Sequence, residues 1–133
     1  TIIRIADWFG IHNILLSPTC ADPFGPKTVQ ASMGAIARAE ITQTNLVNFF
    51  NSLNSNVPIY GTVLEGENIY STHLSQNGVI LMGNEGHGLS PEVLNALTHR
   101  LLIPSYPADA LLTSESLNVA AATAVVLSEF RRR

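Results

Sequence analysis

The stretch Val79 to Leu89 has the sequence VILMGNEGHGL, and it decides the fold class more than any other part of the chain. Its first four residues, Val79 to Met82, form an apolar run typical of a buried β-strand. The strand leads directly into the glycine-rich loop Gly83 to Gly88, and Ser90 and Pro91 then provide standard signals for a helix start. A strand, a glycine-rich loop and a helix in this order predict an α/β fold, in which such loops are a usual place for ligands.

The other elements alternate in the same way, which predicts a mainly parallel sheet covered by helices on both sides. The predicted strands are Asn13 to Ser17, Pro58 to Leu64, Val79 to Met82 and Arg100 to Ile103. The predicted helices are a first one that ends at Gly10, then Lys27 to Ala37, Leu46 to Leu53, Pro91 to about Leu97, and a last one that begins near Ser116. No repeat or linker divides the sequence, so we treat residues 1–133 as one domain.

Composition excludes several classes of protein. Of 133 residues, 46% are apolar and 13% charged, which is typical of a compact globular domain. No apolar run approaches the ~20 residues that span a bilayer and no signal peptide is recognisable, so we expect a cytoplasmic protein with no membrane partner. The net charge of −3 means that any RNA must bind a local patch. Arg131, Arg132 and Arg133 are one candidate patch, although arginines at a helix end equally complement its dipole.

The single cysteine and the first residues carry less information. Cys20 cannot form an internal disulfide, and we assign it no chemistry. Ile2, Ile3, Ala6 and Phe9 already follow helical spacing, which indicates the tail of a helix. We therefore expect the chain to be a fragment that lacks its N-terminal segment.

Individual polar residues near these elements allow both structural and functional interpretations. Glu85 in the glycine-rich loop is either a capping group or a functional acid, and for this residue alone capping is favoured. Ser116 and Asn118 lie where the last helix is predicted to begin, so capping of its free amides is again the simpler interpretation. Arg4 stands among apolar neighbours, and the polar edge of an amphipathic helix explains it.

The sequence lacks the motifs of several common binding and catalytic sites. The loop has neither the lysine-serine end of a P-loop nor the glycine spacing of a dinucleotide-binding loop, so a plain tight turn is favoured over both. The histidines are scattered and no Cys-x-x-Cys or His-Glu-x-x-His occurs, so we expect no metal site. The absence of a Gly-x-Ser-x-Gly motif disfavours a serine hydrolase.

Three segments, taken in order, form a known combination. Ile2 to Arg4 resembles the end of an Asn-x-Gly-x-x-x-Arg motif, and Pro26 to Ala35 (PKTVQASMGA) resembles a Pro-Lys-x-x-Arg-Ala-Ser-Met-Gly-Ala stretch. The second segment is Leu81 to Leu89, and the third joins Ile103-Pro104 to Ser114 to Ala120 (SESLNVA). Together they resemble the three motifs of the SpoU family, also called the TrmH family, in the SPOUT class of methyltransferases.

This resemblance implies a fold and an activity. The family fold is a parallel sheet flanked by helices whose C-terminal part threads a loop to make a deep trefoil knot, which alternating elements alone would not predict. The implied activity is transfer of a methyl group from S-adenosylmethionine (AdoMet) to a ribose 2′-hydroxyl of rRNA or tRNA. The resemblance also implies a homodimer in which each site borrows residues from its partner.

The resemblance also implies site residues, position by position. The residues that match positions around the adenosyl group are Gly83, Ile103 and Leu117, with Thr62 a weaker match. The residues that match catalytic or organising positions are Arg4, Glu85, Ser116 and Asn118. In the family the arginine is thought to help deprotonate the ribose hydroxyl, and stabilisation of a developing alkoxide is an equally good role for a guanidinium.

The sequence departs from the family pattern in three places, and two other classes stay open. The asparagine and glycine expected before Thr1 are absent, the stretch Ser105 to Thr113 is longer than usual, and Gln30 stands where an arginine is common. One alternative is a knotted module that binds AdoMet or RNA without catalysis, favoured by the acidic charge and the incomplete first motif. The other is a generic nucleotide-binding domain, which would need a more lysine-rich loop.

Overall fold

The computed structural model describes residues 1–20, 22–83, 87–108 and 116–133, and the chain divides into two compact units, residues 1–53 and 54–133. Each unit contains parallel strands together with helices. The α/β class and the parallel strand pairing predicted from the sequence are therefore confirmed. The treatment of residues 1–133 as one domain stays a prediction.

The first unit is built on one pair of parallel strands. Its elements, in chain order, are helix α1 (Ile2–Trp8), strand β1 (Asn13–Leu16), helix α2 (Pro26–Ser32), strand β2 (Glu40–Gln43) and helix α3 (Leu46–Ser52). Strands β1 and β2 pair with Asn13 opposite Glu40 and Leu16 opposite Gln43. Strand β2 was not predicted from the sequence, because most of its side chains are polar and exposed.

Helix α2 is shorter than the predicted Lys27 to Ala37, which is wrong at its C-terminal end. Met33 has φ 51° and Gly34 has φ 86°, both in the left-handed region. Two successive left-handed residues end a right-handed helix, so the chain leaves α2 after Ser32 and forms only a short 3₁₀ turn at Ala35–Ala37. The buried Ser32 hydroxyl donates to the Val29 carbonyl at 2.8 Å, which satisfies it within the last turn of the helix.

An ion pair joins helix α1 to the residue after the 3₁₀ turn. Arg38 donates three hydrogen bonds in a fork to Asp7, from Nη2 to Oδ2 at 2.7 Å, from Nε to Oδ1 at 3.0 Å and from Nε to Oδ2 at 3.3 Å. The hydrogen bond from Arg38 lowers the pKa of Asp7 below its usual value. Asp7 is therefore ionised and committed to Arg38 at neutral pH.

The second unit contains a three-stranded parallel sheet. Its elements, in chain order, are strand β3 (Ile59–Asn68), strand β4 (Val79–Leu81), helix α4 (Pro91–Ala96), strand β5 (His99–Leu102) and helix α5 (Val119–Arg132). The strands lie in the order β4-β3-β5, and both neighbouring pairs are parallel. Ser90 caps α4 as predicted, because its hydroxyl accepts a hydrogen bond from the Val93 amide at 3.3 Å.

Strand β3 extends beyond its predicted end because it leaves the ladder with β5 and then rejoins it. Leu101 pairs first with Thr62 and again with Glu67, so residues 63–66 lie outside the regular register. Gly66 permits the return, since a Cβ atom there would lie 2.9 Å from backbone atoms of β5. A larger residue would force the two strands apart.

The core of the second unit packs helix α5 against the sheet. The buried apolar side chains that form this cluster are Tyr60, Ile69, Leu74, Leu101 and Val126. The ring of Phe130 on α5 meets the Tyr60 ring edge-on, with 5.0 Å between centroids. The Tyr60 hydroxyl accepts a hydrogen bond from the Ser75 amide at 2.9 Å, so its polar group is satisfied in the core.

The C-terminal end of α5 is tied to the turn after β3 by a network centred on the buried Glu129. The Glu129 carboxylate accepts hydrogen bonds from Arg132 Nη2 at 2.7 Å and Arg133 Nε at 2.8 Å. These arginines, Arg132 first, lower the pKa of Glu129 to about 2. Arg133 also donates to three backbone carbonyls, at 2.9 to 3.0 Å, in Ile69, Tyr70 and Thr72. Arg132 and Arg133 therefore have structural contacts, which weakens the candidacy of the terminal arginines as an RNA patch.

We expect Glu129→Gln to lower the midpoint of thermal unfolding at pH 7, because the substitution removes the charge that both arginines bind. The folded pKa of about 2 lies below the ordinary value of 4.5. The stabilisation is therefore complete above about pH 5 and is lost as the pH falls through 4.5 towards 2. Scanning calorimetry should show a difference in unfolding midpoint between wild-type protein and Glu129→Gln, and this difference should shrink below pH 4.5. The control Glu65→Gln, at an exposed site, should have nearly the wild-type midpoint at every pH. A difference in midpoint that stays constant with pH would mean that Glu129 acts through packing alone.

Candidate functional site

Three predicted cofactor-binding residues meet at one edge of the sheet in the second unit. Gly61 of β3 pairs with Leu81 of β4 and with Arg100 of β5, and all three strands run the same way. Thr62 follows Gly61 by one position, Gly83 follows Leu81 by two, and Ile103 follows Arg100 by three. Because parallel strands end at a common edge, the three residues lie at the carboxyl edge, the usual ligand side of an α/β sheet.

Thr62 joins β3 to the end of β4. Its half-buried hydroxyl donates to the Leu81 carbonyl at 3.4 Å and lies 3.7 Å from the sulfur of Met82. Both contacts are long for hydrogen bonds, so they orient the side chain more than they stabilise the sheet. Residues 63–66 leave the ladder directly after Thr62.

Gly83 brings the two ends of the glycine-rich loop into contact. A Cβ atom at Gly83 would lie 2.8 Å from the carbonyl carbon of Gly88 and 3.0 Å from the amide nitrogen of Leu89. Only a residue without a side chain permits this approach of backbone to backbone. Gly88, with φ 65°, forms the other side of this contact and was not among the site residues predicted from the sequence. Glu85, the predicted acid of this loop, lies outside the described residues.

Ile103 and Leu117 differ in their surroundings. Ile103 is partly buried and packs against the cluster that contains Tyr60 and Leu101. Leu117 is 52% exposed, directly before the residue that caps α5. Ile103 thus has one side fixed by the core, whereas Leu117 presents an apolar side chain to solvent.

Helix α5 begins later than predicted. Its first residue is Val119, so the expectation that it begins near Ser116 is wrong. Asn118 sets the start, because its Oδ1 accepts hydrogen bonds from the amides of Ala120 at 2.9 Å and Ala121 at 3.2 Å. The capping interpretation is therefore confirmed for Asn118. Ser116 is exposed and lies two residues before the cap.

Arg4 lies in the first unit, apart in the chain from the other candidates. It is exposed on α1, whereas Ile3 and Ala6 of the same helix are buried. The part of the chain that the structure describes offers its guanidinium no hydrogen bond or ion pair, and the nearby Asp7 is committed to Arg38. Arg4 therefore forms the polar edge of an amphipathic helix, and its positive charge is not compensated by any of the described residues.

The sequence profile of the SpoU rRNA Methylase family matches residues 1–128. The chain belongs to this family. The three motifs recognised in the sequence therefore identified the family correctly. The SpoU motifs extend over both compact units, since the match covers the first unit completely and most of the second.

Individual SpoU relatives agree with this assignment. The chain is 31% identical over 133 residues to the 23S rRNA (guanosine(2553)-2'-O)-methyltransferase RlmP of Bacillus subtilis, covering 98% of this chain and 52% of the relative. A solved TrmH-family protein from Porphyromonas gingivalis is 44% identical with a TM-score of 0.88, covering 98% and 53%. The AdoMet-bound rRNA methyltransferase from Sinorhizobium meliloti is 33% identical with a TM-score of 0.86, covering 99% and 50%. The chain thus spans about half the length of the curated relatives it matches.

The described residues contain neither a candidate metal-binding group nor a candidate membrane span. Within residues 1–20, 22–83, 87–108 and 116–133, no group of three or more His, Cys, Asp or Glu side chains could hold a metal ion. No helix in the same part of the chain is long and apolar enough to cross a membrane.

Proposed function

We propose that the protein containing this chain is an RNA methyltransferase that transfers a methyl group from AdoMet to a ribose 2′-hydroxyl of rRNA or tRNA. The observation that carries the proposal is the convergence of Thr62, Gly83 and Ile103 on the carboxyl edge of a parallel sheet. Membership of the SpoU family supports it. In this proposal residues 1–133 form the catalytic domain, and the protein acts in the cytoplasm.

The residues at this edge suit an adenosyl group. Gly83 and Gly88 are so close that backbone amides and carbonyls border the strand ends, and these groups pair well with the polar edge of an adenine. Ile103 is fixed on one side by the core, and Leu117 is half exposed, so both offer apolar contact to a flat ring. We assign Thr62, Gly83, Ile103 and Leu117 to AdoMet binding without a metal.

AdoMet supplies the methyl group, carried on a positively charged sulfur. The residues of the chain must hold the ribose hydroxyl in line with that methyl group and favour loss of the hydroxyl proton. We assign this role to Arg4, because its exposed guanidinium has no ionic partner in the described part of the chain. A fixed positive charge would stabilise the developing alkoxide and make the hydroxyl easier to deprotonate, with solvent water as the proton acceptor.

We assign Glu85, Ser116 and Asn118 to organising the site around the methyl donor. The Oδ1 atom of Asn118 already caps α5. A hydrogen bond that the Asn118 side chain donates to a ligand comes from its Nδ2 amide. The substitution Asn118→Asp keeps an acceptor for the cap and removes the donor, so it separates the two roles, whereas Asn118→Ala also loses about 1 kcal/mol of capping.

We also infer two finer features for this chain, the deep trefoil knot of the C-terminal part and the homodimer. The dimer is implied by the family resemblance, and the apolar side chains at and after the start of α5 are a candidate contact: Leu117, Ala121, Ala124, Val125 and Leu127. Leu127 is buried within the second unit and is therefore not accessible to a partner. The residues of this candidate contact that keep some exposure are Leu117, Ala121, Ala124 and Val125.

Light scattering at tens of micromolar protein should give twice the protomer mass. The exposed Ala121 is small, and Ala121→Arg should lower that mass because it places a charge in the apolar face of the helix. Ser128→Arg, at an exposed polar position of the same helix, is the matched control and should leave the mass unchanged. A wild-type monomer would contradict both the dimer and the borrowing of site residues between protomers.

Calorimetry tests the proposed cofactor directly. We expect the folded protein to bind AdoMet and S-adenosylhomocysteine with micromolar-range affinity, and the affinity should not change when a chelator is added. The reason is that backbone groups and apolar side chains supply the contacts. The absence of binding heat from a folded sample would remove the cofactor assignment and with it the proposed reaction.

A further inference from the structure

Trp8 is the most exposed of the large apolar side chains in the described part of the chain, at 84%. It is the last residue of helix α1, four positions after Arg4. Residues four apart lie on the same face of a helix, with roughly 5–6 Å between their Cβ atoms. Arg4 and Trp8 therefore share one face of α1, and the buried Ile3 and Ala6 lie on the opposite face.

The charge on this face favours a polyanion. Arg4 is exposed, with no ionic partner among the described residues, and the carboxylate that could neutralise it, Asp7, is bound by the Arg38 fork at 2.7 Å. A guanidinium pairs with phosphate, and an indole ring stacks on a nucleobase. A cation and an exposed aromatic ring one helical turn apart are the combination that binds single-stranded nucleic acid.

We propose that Trp8 stacks on an unpaired base next to the ribose that Arg4 engages, and so positions the RNA for methyl transfer. This inference rests on the proposed function, because it takes the substrate to be RNA. It adds a positioning residue that neither the motifs nor the sheet edge includes. The competing occupant is a second copy of the chain, which would cover the indole by apolar contact and would not need an aromatic ring.

The experiment compares variants of Trp8 in the complete protein. Trp8→Phe keeps a flat ring, whereas Trp8→Leu keeps apolar area and loses stacking. The probe is a mixed-sequence single-stranded RNA of 12 nucleotides, with the matching duplex for comparison, and no AdoMet is added. Phe24→Leu, which removes another exposed aromatic ring from the first unit, is the matched control.

We expect Trp8→Leu to bind the single strand about tenfold more weakly, and Trp8→Phe and Phe24→Leu to bind it nearly as well as wild-type protein. Trp8 is the single tryptophan of the sequence, so its fluorescence reports the contact directly. The single strand should quench it more than the duplex does. Subtracting the fluorescence of Trp8→Phe from that of wild-type protein removes the contribution of any tryptophan elsewhere in a longer protein.

Four results would overturn the inference, three from the binding experiment and one from methyl transfer. The first is equal RNA affinity of Trp8→Leu and wild-type protein, and the second is an equal loss in Trp8→Leu and Phe24→Leu. The third is unchanged Trp8 fluorescence with RNA together with a lower dimer mass for Trp8→Leu, which would assign the ring to a second copy. Methyl transfer is measured separately, so normal transfer by Trp8→Leu would leave the proposed function intact while refuting the role of Trp8.

Discussion

Arg4→Lys is expected to lower the single-turnover rate of methyl transfer to RNA by about a hundredfold or more. Lysine keeps the positive charge but loses the planar fork that can contact a hydroxyl and a phosphate at the same time. Loss of one such positioned group typically costs ~2–4 kcal/mol of transition-state stabilisation. The measurement needs the complete protein, its RNA and a saturating concentration of AdoMet.

The control for this substitution is an arginine of the second unit. Arg132→Lys also loses a bidentate fork, which Arg132 makes to Glu129, and it leaves the ion pair between Asp7 and Arg38 beside Arg4 intact. We expect Arg132→Lys to transfer methyl groups at a near-normal rate, and both variants to bind AdoMet like wild-type protein. If Arg4→Lys kept a near-normal rate, Arg4 would be only the polar edge of α1, and the catalytic role would move to Glu85 or Asn118.

Gly83→Ala is expected to weaken AdoMet binding by about tenfold or more, as measured by calorimetry. The new Cβ atom would lie 2.8 Å from the Gly88 carbonyl carbon, and backbone cannot rotate away as the end of a side chain can. Overpacking of this kind typically costs ~1–3 kcal/mol, and the cost falls on the loop that borders the proposed site.

The matched control for Gly83→Ala is a glycine that tolerates a side chain. A Cβ atom at Gly25 would make only an ordinary contact of 3.4 Å, and its φ of −62° suits any residue. Gly25→Ala should therefore bind AdoMet as wild-type protein does. Unchanged affinity of Gly83→Ala would show that the cofactor does not depend on the closed form of this loop.

Strong local signals predicted much of the fold. The apolar run that begins at Val79 forms β4, and Ser90 with Pro91 begins α4 as expected. The predictions fail where tertiary contacts or backbone conformation determine the secondary structure. The polar strand β2 is recognisable only by its pairing with β1, and the return of β3 to the ladder at Glu67 depends on contact with β5.

In the candidate site, too, some features could be predicted from the sequence and others could not. Parallel strands place Thr62, Gly83 and Ile103 at one edge, so their proximity could be predicted once the strands were identified. The contact of Gly83 with Gly88 could not, because glycines in a loop do not specify which backbone atoms meet. Trp8 was also missed. Its spacing from Arg4 was available in the sequence, but its exposure was not, since an aromatic residue at a helix end is buried in many folds.

The measurement that tests the central claim most directly follows a labelled methyl group from AdoMet into RNA. The complete protein is incubated with methyl-labelled AdoMet and RNA from cells that lack its gene, and the RNA is then hydrolysed with alkali. A 2′-O-methyl group blocks cleavage of the adjacent phosphodiester, because alkaline cleavage requires the free 2′-hydroxyl as nucleophile. We predict label in alkali-resistant dinucleotides; label in mononucleotides, or AdoMet binding with no label in RNA, would contradict the proposed reaction.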